Sequence, residues 1–308
     1  MNLLGKILKI LKILKNPLWI IVFLNNRGFH ILNDEKYIKL LYRLNFNKDI
    51  DLNEPRTYNE KLQWLKLHDR KDIYTNMVDK YEAKKYVSNI IGEKYIIPTL
   101  GIWEKFDDID FDKLPNEFVL KCTHDSGGVV ICKDKRKLNM KQTKKKINKS
   151  LKRNFYYSGR EWPYKNIKPR IIAEQYMVDE SGDQLKDYKF FCFNGEPKLL
   201  FVAKDRPTNT KFNYYDMKFE KLPFKQHYEN FEDDLILPEG FGKMVELSRK
   251  LSKNISHVRV DFYNINGRIY FGELTFYHFS GFQKFEPEEW DKKLGDMLEL
   301  PKEKKIEK

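Results

Sequence analysis

The chain has 308 residues, 41% of them hydrophobic and 15% aromatic, which supports a sizeable core and excludes a disordered chain. A net charge of +13 favours anionic partners such as nucleotide phosphates, anionic lipid or an acidic polymer, without choosing among them, and serves solubility equally well. Cys122, Cys132 and Cys192 show no CxxC spacing and no nearby His pair, which argues against zinc and for a reducing cytosolic compartment.

In chain order, residues 1–25 come first. Leu3, Leu4, Ile7, Leu8, Ile10, Leu11, Ile13 and Leu14 alternate with Lys6, Lys9, Lys12 and Lys15, so a helix here would be basic on one side and aliphatic on the other. The apolar run Pro17 to Leu24, which carries Trp19, is too short to span a bilayer, since a spanning helix takes about 20 residues. No small-residue cleavage site follows it. The pattern predicts a basic amphipathic helix at an anionic membrane surface, with docking on the protein's own core as the alternative.

Residues 26–75 read as a helical N-terminal region, and the helical texture runs over 34–90, with Thr57 and Glu60 forming a capping box. After Gly92 short strands are predicted at Tyr95 to Ile97, Phe118 to Cys122, Gly128 to Cys132, Ile171 to Glu174, Tyr188 to Phe193 and Lys198 to Ala203. Two more follow at His257 to Tyr263 and Arg268 to Leu274. Helices are predicted over Lys133 to Arg153 and Lys243 to Leu251, and the charged tail 301–308 reads as frayed. Antiparallel hairpins mixed with helices predict an α+β fold.

The chemistry-bearing pattern begins with Arg259-Val260-Asp261, Asn266-Gly267 and Gly272-Glu273-Leu274-Thr275, which read as a hairpin. If it pivots on Gly267, Asp261 lies opposite Glu273; a two-residue Asn-Gly turn would put them on opposite faces, so the reading requires a three- or five-residue loop. Two facing carboxylates suit Mg²⁺, and an adjacent arginine suits a transferring phosphoryl group. A surface salt bridge would use the same residues. Next, Lys121 ends a strand before Asp125-Ser126-Gly127-Gly128, a loop whose backbone can approach phosphate oxygens or simply turn a hairpin. Lys80 opens a helix, Glu174 lies where a strand leaves one lobe, and Lys189 starts the next strand. His124 and the lysine-rich span 133–153 carry no chemistry that outweighs a structural or solvated role.

Taken in this order, the pattern resembles the ATP-grasp superfamily, and in particular its TupA-like branch, associated with teichuronopeptide and capsule synthesis. Thr57 to Trp64, Phe118 to Gly128, Asp187 to Gly195 and Phe271 to Phe276 carry the likeness, which covers about residues 35–300. It implies an ATP-grasp fold of two α+β lobes gripping ATP: a domain over 76–300, with a lid lobe over about 101–173. By this resemblance Lys80, Lys121, Gly127, Gly128, Glu174 and Lys189 would hold the nucleotide. Asp261, Glu273 and Thr275 would bind Mg²⁺, and Arg259 would steady an acyl-phosphate. Thr275 stands where most of the superfamily has Asn, and no Gly-rich βα turn precedes residue 76.

The implied activity is ATP- and Mg²⁺-dependent carboxylate–amine ligation. The partners would be a carboxylated sugar or polysaccharide precursor and an amine or amino acid, at the inner face of the cell membrane. A kinase or sugar transferase of the same pathway is the alternative. No nucleic-acid-binding motif is present and no nucleic-acid partner is expected.

Overall fold

Helices come first in the chain. The computed structural model describes residues 13, 14, 16–179, 185–204, 209–233 and 235–302. Residues 1–12 of the expected basic helix and 303–308 of the expected tail lie outside them. Helix α1 (Trp19–Asn25) packs on α2 (Asp34–Phe46). Trp19 and Val22 join Tyr37, Leu41, Tyr42 and Ile50 in one apolar cluster. Within the Trp-bearing run expected at a membrane, Trp19 and Val22 therefore face the protein's own core, while Leu18 and Ile20 stay exposed. Asn25 locks this packing: its amide donates to Tyr37 Oη at 3.0 Å and its carbonyl accepts from Arg160 at 2.9 Å.

Helix α3 (Tyr58–His68) opens with the expected capping box, in which Thr57 accepts from the Glu60 N–H and Glu60 accepts from Thr57 N–H. Helices α4 (Ile73–Val78) and α5 (Glu82–Ile91) meet at Asp79, whose carboxylate accepts from the N–H groups of Tyr81 and Glu82.

A four-stranded antiparallel sheet follows: β1 (Thr99–Trp103), β2 (Phe118–Cys122), β3 (Val129–Cys132) and β4 (Ile171–Gln175), in the order β1-β4-β2-β3. The period-2 alternation of a strand divides its residues cleanly. Phe118, Leu120, Cys122, Ile171 and Ala173 enter a small core with Ile147 of α6 (Met140–Leu151), while Val119, Lys121, Ile172 and Glu174 take the other face. The short helix α7 (Tyr156–Gly159) precedes β4.

The larger sheet has the order β10-β9-β5-β6-β7. Its strands are β5 (Asp187–Phe193), β6 (Glu196–Lys204) and β7 (Lys211–Asp216), then, after the two-residue β8 (Lys225–Gln226), β9 (His257–Ile265) and β10 (Arg268–Thr275). Helix α8 (Phe241–Ser252) covers one face, where Phe241 meets Phe190. Residues Phe285–Glu286 form β11, which pairs with β8, and α9 (Glu289–Met297) packs on α3.

Three expectations are corrected. The strand expected at 95–97 is a 3₁₀ turn over Glu93–Tyr95, and the edge strand β1 begins only after Pro98, which has no N–H to give a ladder. The helix expected over 133–153 is shorter, because Asn139 caps it and accepts from the Gln142 N–H. Strand β7 and helix α9 carried no expectation. The β9–β10 turn is the two-residue Asn266-Gly267, with φ of 50° and 76°, rather than a three- or five-residue loop.

Candidate active site

The two sheets face each other across a cavity of about 560 Å³. The smaller sheet supplies Val119, Lys121, Val129, Ile131 and Glu174; α4 supplies Met77, the α4–α5 junction Lys80 and α5 Lys84. The larger sheet supplies Asp187, Lys189, Asp261, Tyr263 and Glu273. Strand register explains this set: Lys189 pairs with Asp261, and Asp261 with Glu273, so the three side chains stand abreast on one face.

Glu273 reaches that face through a bulge. Pairing runs regularly from Arg268–Ile265 to Phe271–Phe262, and then Glu273, not Gly272, meets Asp261. The extra residue reverses the alternation in β10, so the carboxylates face each other despite the two-residue turn. A Cβ at Gly272 would lie 3.2 Å from the Asp261 carbonyl oxygen. An isolated glycine inside a strand pattern was the available signal for this.

At one end of the cavity Glu174 lies between Lys84 (2.6 Å) and Lys121 (2.5 Å). Burial pushes its carboxyl up, but Lys121 and Lys84 outweigh this and hold it at about 2. The two lysines are perturbed in opposite directions. Burial keeps Lys84 below its ordinary value even beside Glu174, whereas for Lys121 the Glu174 charge overcomes burial and raises it. Lys80 donates to the Asp125 carbonyl at 2.7 Å, and burial lowers its pKa.

At the other end Arg259 forks onto Asp261, with Nε and Nη2 each 2.7 Å from a carboxylate oxygen. Nη2 also donates to Glu273 at 3.1 Å and to Thr275 Oγ1 at 3.0 Å. Lys189 contacts the same Asp261 carboxylate. Burial would raise Asp261, but Arg259 and then Lys189 hold it below the usual carboxylate range. Behind this group Arg259 Nη1 donates to His278 Nδ1 at 2.9 Å, which places the imidazole proton on Nε2. Burial, then Arg259, holds His278 well below its ordinary pKa, so the ring is neutral.

Of the expected residues, Lys80, Lys121, Glu174, Lys189, Asp261 and Glu273 line one cavity. Arg259 and Thr275 stand behind Asp261 and Glu273, outside the lining, and the Thr275 hydroxyl is occupied by Arg259. Gly127 and Gly128 are also outside the lining, in the loop beside it; Gly127 has φ 105° and open space where a Cβ would be. The sequence reading missed Lys84, on α5, and Asp187, at the start of β5.

Among the described residues no cluster of three or more His, Cys, Asp or Glu is arranged for a metal ion. Paired carboxylates such as Asp261 and Glu273 are of the chemical type that Mg²⁺ takes as ligands alongside phosphate and water. Glu273, with its side chain 42% exposed, is the more accessible. The described lining is rich in lysines and carboxylates, which offer charge and positioning.

Two antiparallel sheets closing on a cleft of lysines and carboxylates form an ATP-grasp arrangement. Residues 60–299 match the TupA-like ATPgrasp family, and the chain belongs to that family. No match was found among curated proteins. Among solved structures the chain is similar to D-alanine–D-alanine ligase from Helicobacter pylori (16% identity, TM-score 0.41, 79% of this chain and 69% of that one). It is similar also to D-alanine–D-alanine ligase from Bacillus anthracis (18%, 0.36, 72% and 60%), of which it spans less than two thirds. A third likeness is to the ATP-grasp ligase PsnB, solved with a minimal precursor, Mg and ADP (9%, 0.38, 70% and 56%).

Proposed function

We propose that the chain is an ATP- and Mg²⁺-dependent carboxylate–amine ligase acting on a uronic acid or other carboxylated sugar during surface-polysaccharide synthesis. The observation that carries this reading is the pairing of cations and carboxylates at both ends of one cavity between the sheets. The family match over residues 60–299 supports it.

In this reading residues 76–300 act as the ATP-grasp domain and 101–173 as its lid. Lys80, Lys121 and Lys189 bind the phosphates, with Gly127 and Gly128 offering backbone N–H groups from the adjoining loop. Glu174 orients Lys84 and Lys121 beside the nucleoside. Asp261 and Glu273 hold Mg²⁺, which supplies charge neutralisation on the phosphoryl oxygens; Thr275 keeps Arg259 aimed rather than ligating directly. A carboxylate oxygen of the acceptor attacks the γ-phosphorus, the bond to ADP breaks, and an acyl-phosphate forms. The amine then attacks the acyl carbon, phosphate leaves, and the amine's proton passes to solvent. Arg259 stabilises the charge on the transferring group. Direct transfer between substrates needs charge neutralisation more than a protein nucleophile, which suits a lining rich in lysines and carboxylates.

The exposed apolar residues Leu14, Leu18, Ile20, Phe29 and Ile31 support a place at an anionic membrane surface, on the cytoplasmic side. No helix among the described residues is long and apolar enough to cross a membrane.

The test is calorimetric titration of ATP with Mg²⁺ into the wild type and Glu273→Ala, followed by phosphate release with uronic acids and amines. Magnesium-dependent binding that collapses in the variant, with phosphate release that needs both co-substrates, is the expected result. A stable phosphorylated product without amine would instead make the chain a kinase. A folded protein that binds no ATP would sink both readings.

A further inference from the structure

Helix α6 divides its residues between two opposed stripes. Thr143, Ile147 and Ser150, spaced by four and three, are buried against the smaller sheet. Lys141, Lys145, Lys149 and Lys152, spaced by four, four and three, are exposed. Each of these lysines stands two residues from a buried one, about 200° around the helix. The four ammonium groups therefore form one row opposite the core, about 16 Å long at the rise of a helix. Lys152 belongs to the row because the cap keeps helical backbone, with φ −79° and ψ −7°.

The row is unpaired. Its neighbours on α6 are engaged: Lys144 bridges to Asp107 at 2.6 Å and Lys146 donates to the Val129 carbonyl at 2.6 Å. Among the described residues Lys141, Lys145, Lys149 and Lys152 have no ion-pair partner. The sequence supplies none nearby, since no Asp or Glu occurs from Lys135 to Arg160. Other exposed helix faces of the same chain are built differently. Lys39 meets Glu35 on α2, Lys250 meets Glu246 on α8, and Lys292 and Lys293 meet Asp296 and Glu289 on α9, all four residues apart. Opposite charges at that spacing stabilise a helix, and like charges destabilise it. A face serving solubility alone is served by the mixed pattern, so the uniform row on α6 points to an anionic partner.

The form of the row selects the partner. It lies on the outside of a helix that contains no aromatic residue, and the nucleotide cavity takes no residue from it. A saccharide chain needs ring faces and a cleft, whereas a charged plane needs only projecting ammonium groups. Apolar side chains occur at both ends. Met140 is exposed where α6 begins. At the other end Lys152 is five residues from Tyr157, a reach of at most about 18 Å. The Tyr157 ring stacks on His30 at 3.4 Å, and the residues on either side of His30, Phe29 and Ile31, are exposed. Basic side chains beside apolar ones suit an anionic bilayer surface.

We propose that the lysine row of α6 docks on an anionic phospholipid surface, with Phe29 and Ile31 entering that surface near its C-terminal end. The proposal rests on the membrane reading and assigns the contact to the lid helix. Helix α6 packs on the face of the smaller sheet that carries Leu120 and Ala173, whereas Lys121 and Glu174 line the cavity from the other face. The lipid therefore meets the back of the lid, and the nucleotide cavity stays clear of it.

The test uses the full chain and a variant with Lys141→Gln, Lys145→Gln and Lys149→Gln together. Both are co-sedimented with vesicles of phosphatidylcholine alone or with 30% phosphatidylserine, and titrated with ATP–Mg²⁺ and with soluble polygalacturonate. The wild type binds the anionic vesicles more tightly than the neutral ones, and less as salt rises. The variant binds them about tenfold or more weakly, at unchanged ATP affinity, which certifies its fold. On bound wild type, Lys141, Lys145 and Lys149 are shielded from acetylation. Unchanged vesicle binding by the variant, full acetylation of the three lysines on bound protein, or equal binding to neutral vesicles overturns the proposal. So does a variant that loses polygalacturonate but keeps the vesicles, which would give the row to an acidic polymer. If Phe29→Glu with Ile31→Glu releases the chain and the lysine variant does not, the membrane reading stands without α6. If the wild type binds no anionic vesicle, both fall.

Discussion

Asp261 and Glu273 face each other across β9 and β10 only because Gly272 is an extra residue in the ladder. The two-residue turn alone would leave Gly272 opposite Asp261 and turn Glu273 to the other face. A side chain at 272 meets the Asp261 carbonyl and the Tyr263 ring, at 3.2 and 3.3 Å from its Cβ. Gly272→Val therefore favours a regular strand and should abolish Mg²⁺-dependent ATP binding in a folded protein. Deleting Gly272 removes the bulge but returns Glu273 to the register position opposite Asp261, so it should retain binding within about tenfold, a loss of about 1.4 kcal/mol. Calorimetry on both variants, with circular dichroism as the folding control, checks the pair; equal losses would defeat the register argument.

Glu174 is expected to link stability to acid pH. Its folded pKa is about 2 against an ordinary 4.5, so the carboxylate is favoured in the folded state. That stability is fully present above pH 4.5 and is lost as the pH falls towards 2. At about 1.4 kcal/mol per pKa unit, the group contributes roughly 3 kcal/mol at neutral pH. Glu174→Gln should lower stability at pH 7 by that order, with the gap to wild type narrowing as pH drops below 4.5. Urea melts across pH 3–7 measure this; a gap that does not change with pH would refute it.

Local patterns were the most legible part of the sequence. The Thr57–Glu60 capping box depends on residues three apart and appears as read. Lys121, Glu174, Asp261 and Glu273 were grouped by resemblance and do share a cavity, yet the turn expected to align the last two was wrong, because register is a property of the whole ladder. Lys84 was overlooked because its lysine reads as a solvated helix position until β4 brings Glu174 within 2.6 Å. Trp19 was read in an apolar run for a membrane surface or the protein's own core, and which it takes depends on α2, Ile50 and Phe282, none of them local.

The inward packing of Trp19 changes which residues would meet a membrane. Phe29 and Ile31 are 61% and 66% exposed, while Val22 is buried. Burying a side chain of this size is worth about 1.5–3 kcal/mol. Phe29→Glu with Ile31→Glu should reduce binding to vesicles of 30% phosphatidylserine, on the order of tenfold or more, without changing ATP affinity. Trp19→Ala should instead lower stability, by less than the roughly 3–5 kcal/mol of a fully buried aromatic because Trp19 is only partly buried. Vesicle co-sedimentation distinguishes the two, and unaltered sedimentation of the double glutamate variant would count against the membrane assignment.

Lys66 clamps the turn after β10 from the α3 side. It is fully buried on α3, and its ammonium donates to the Gly159 carbonyl at 2.8 Å, the Ser280 carbonyl at 2.7 Å and Gln63 Oε1 at 2.9 Å. Gln63 adds a second clamp, its amide donating to the Gly281 carbonyl at 2.8 Å. These bonds fix the left-handed run at Phe279 and Ser280, and the same turn carries His278 onto Arg259. Lys66→Met keeps an unbranched stem one atom shorter and removes every donor. Unpaired carbonyls then cost about 1–3 kcal/mol, and the turn can relax. Since Arg259 keeps its fork on Asp261, ATP–Mg²⁺ affinity should stay within about twofold, while amine-dependent phosphate release should fall about tenfold or more, the effect of a misplaced transition-state group. The comparison with Gln63→Leu matters: it removes only part of the clamp and should give an intermediate rate at near wild-type affinity. If both variants lose ATP binding in proportion to rate, Lys66 supports the fold as a whole and has no separate hold on Arg259.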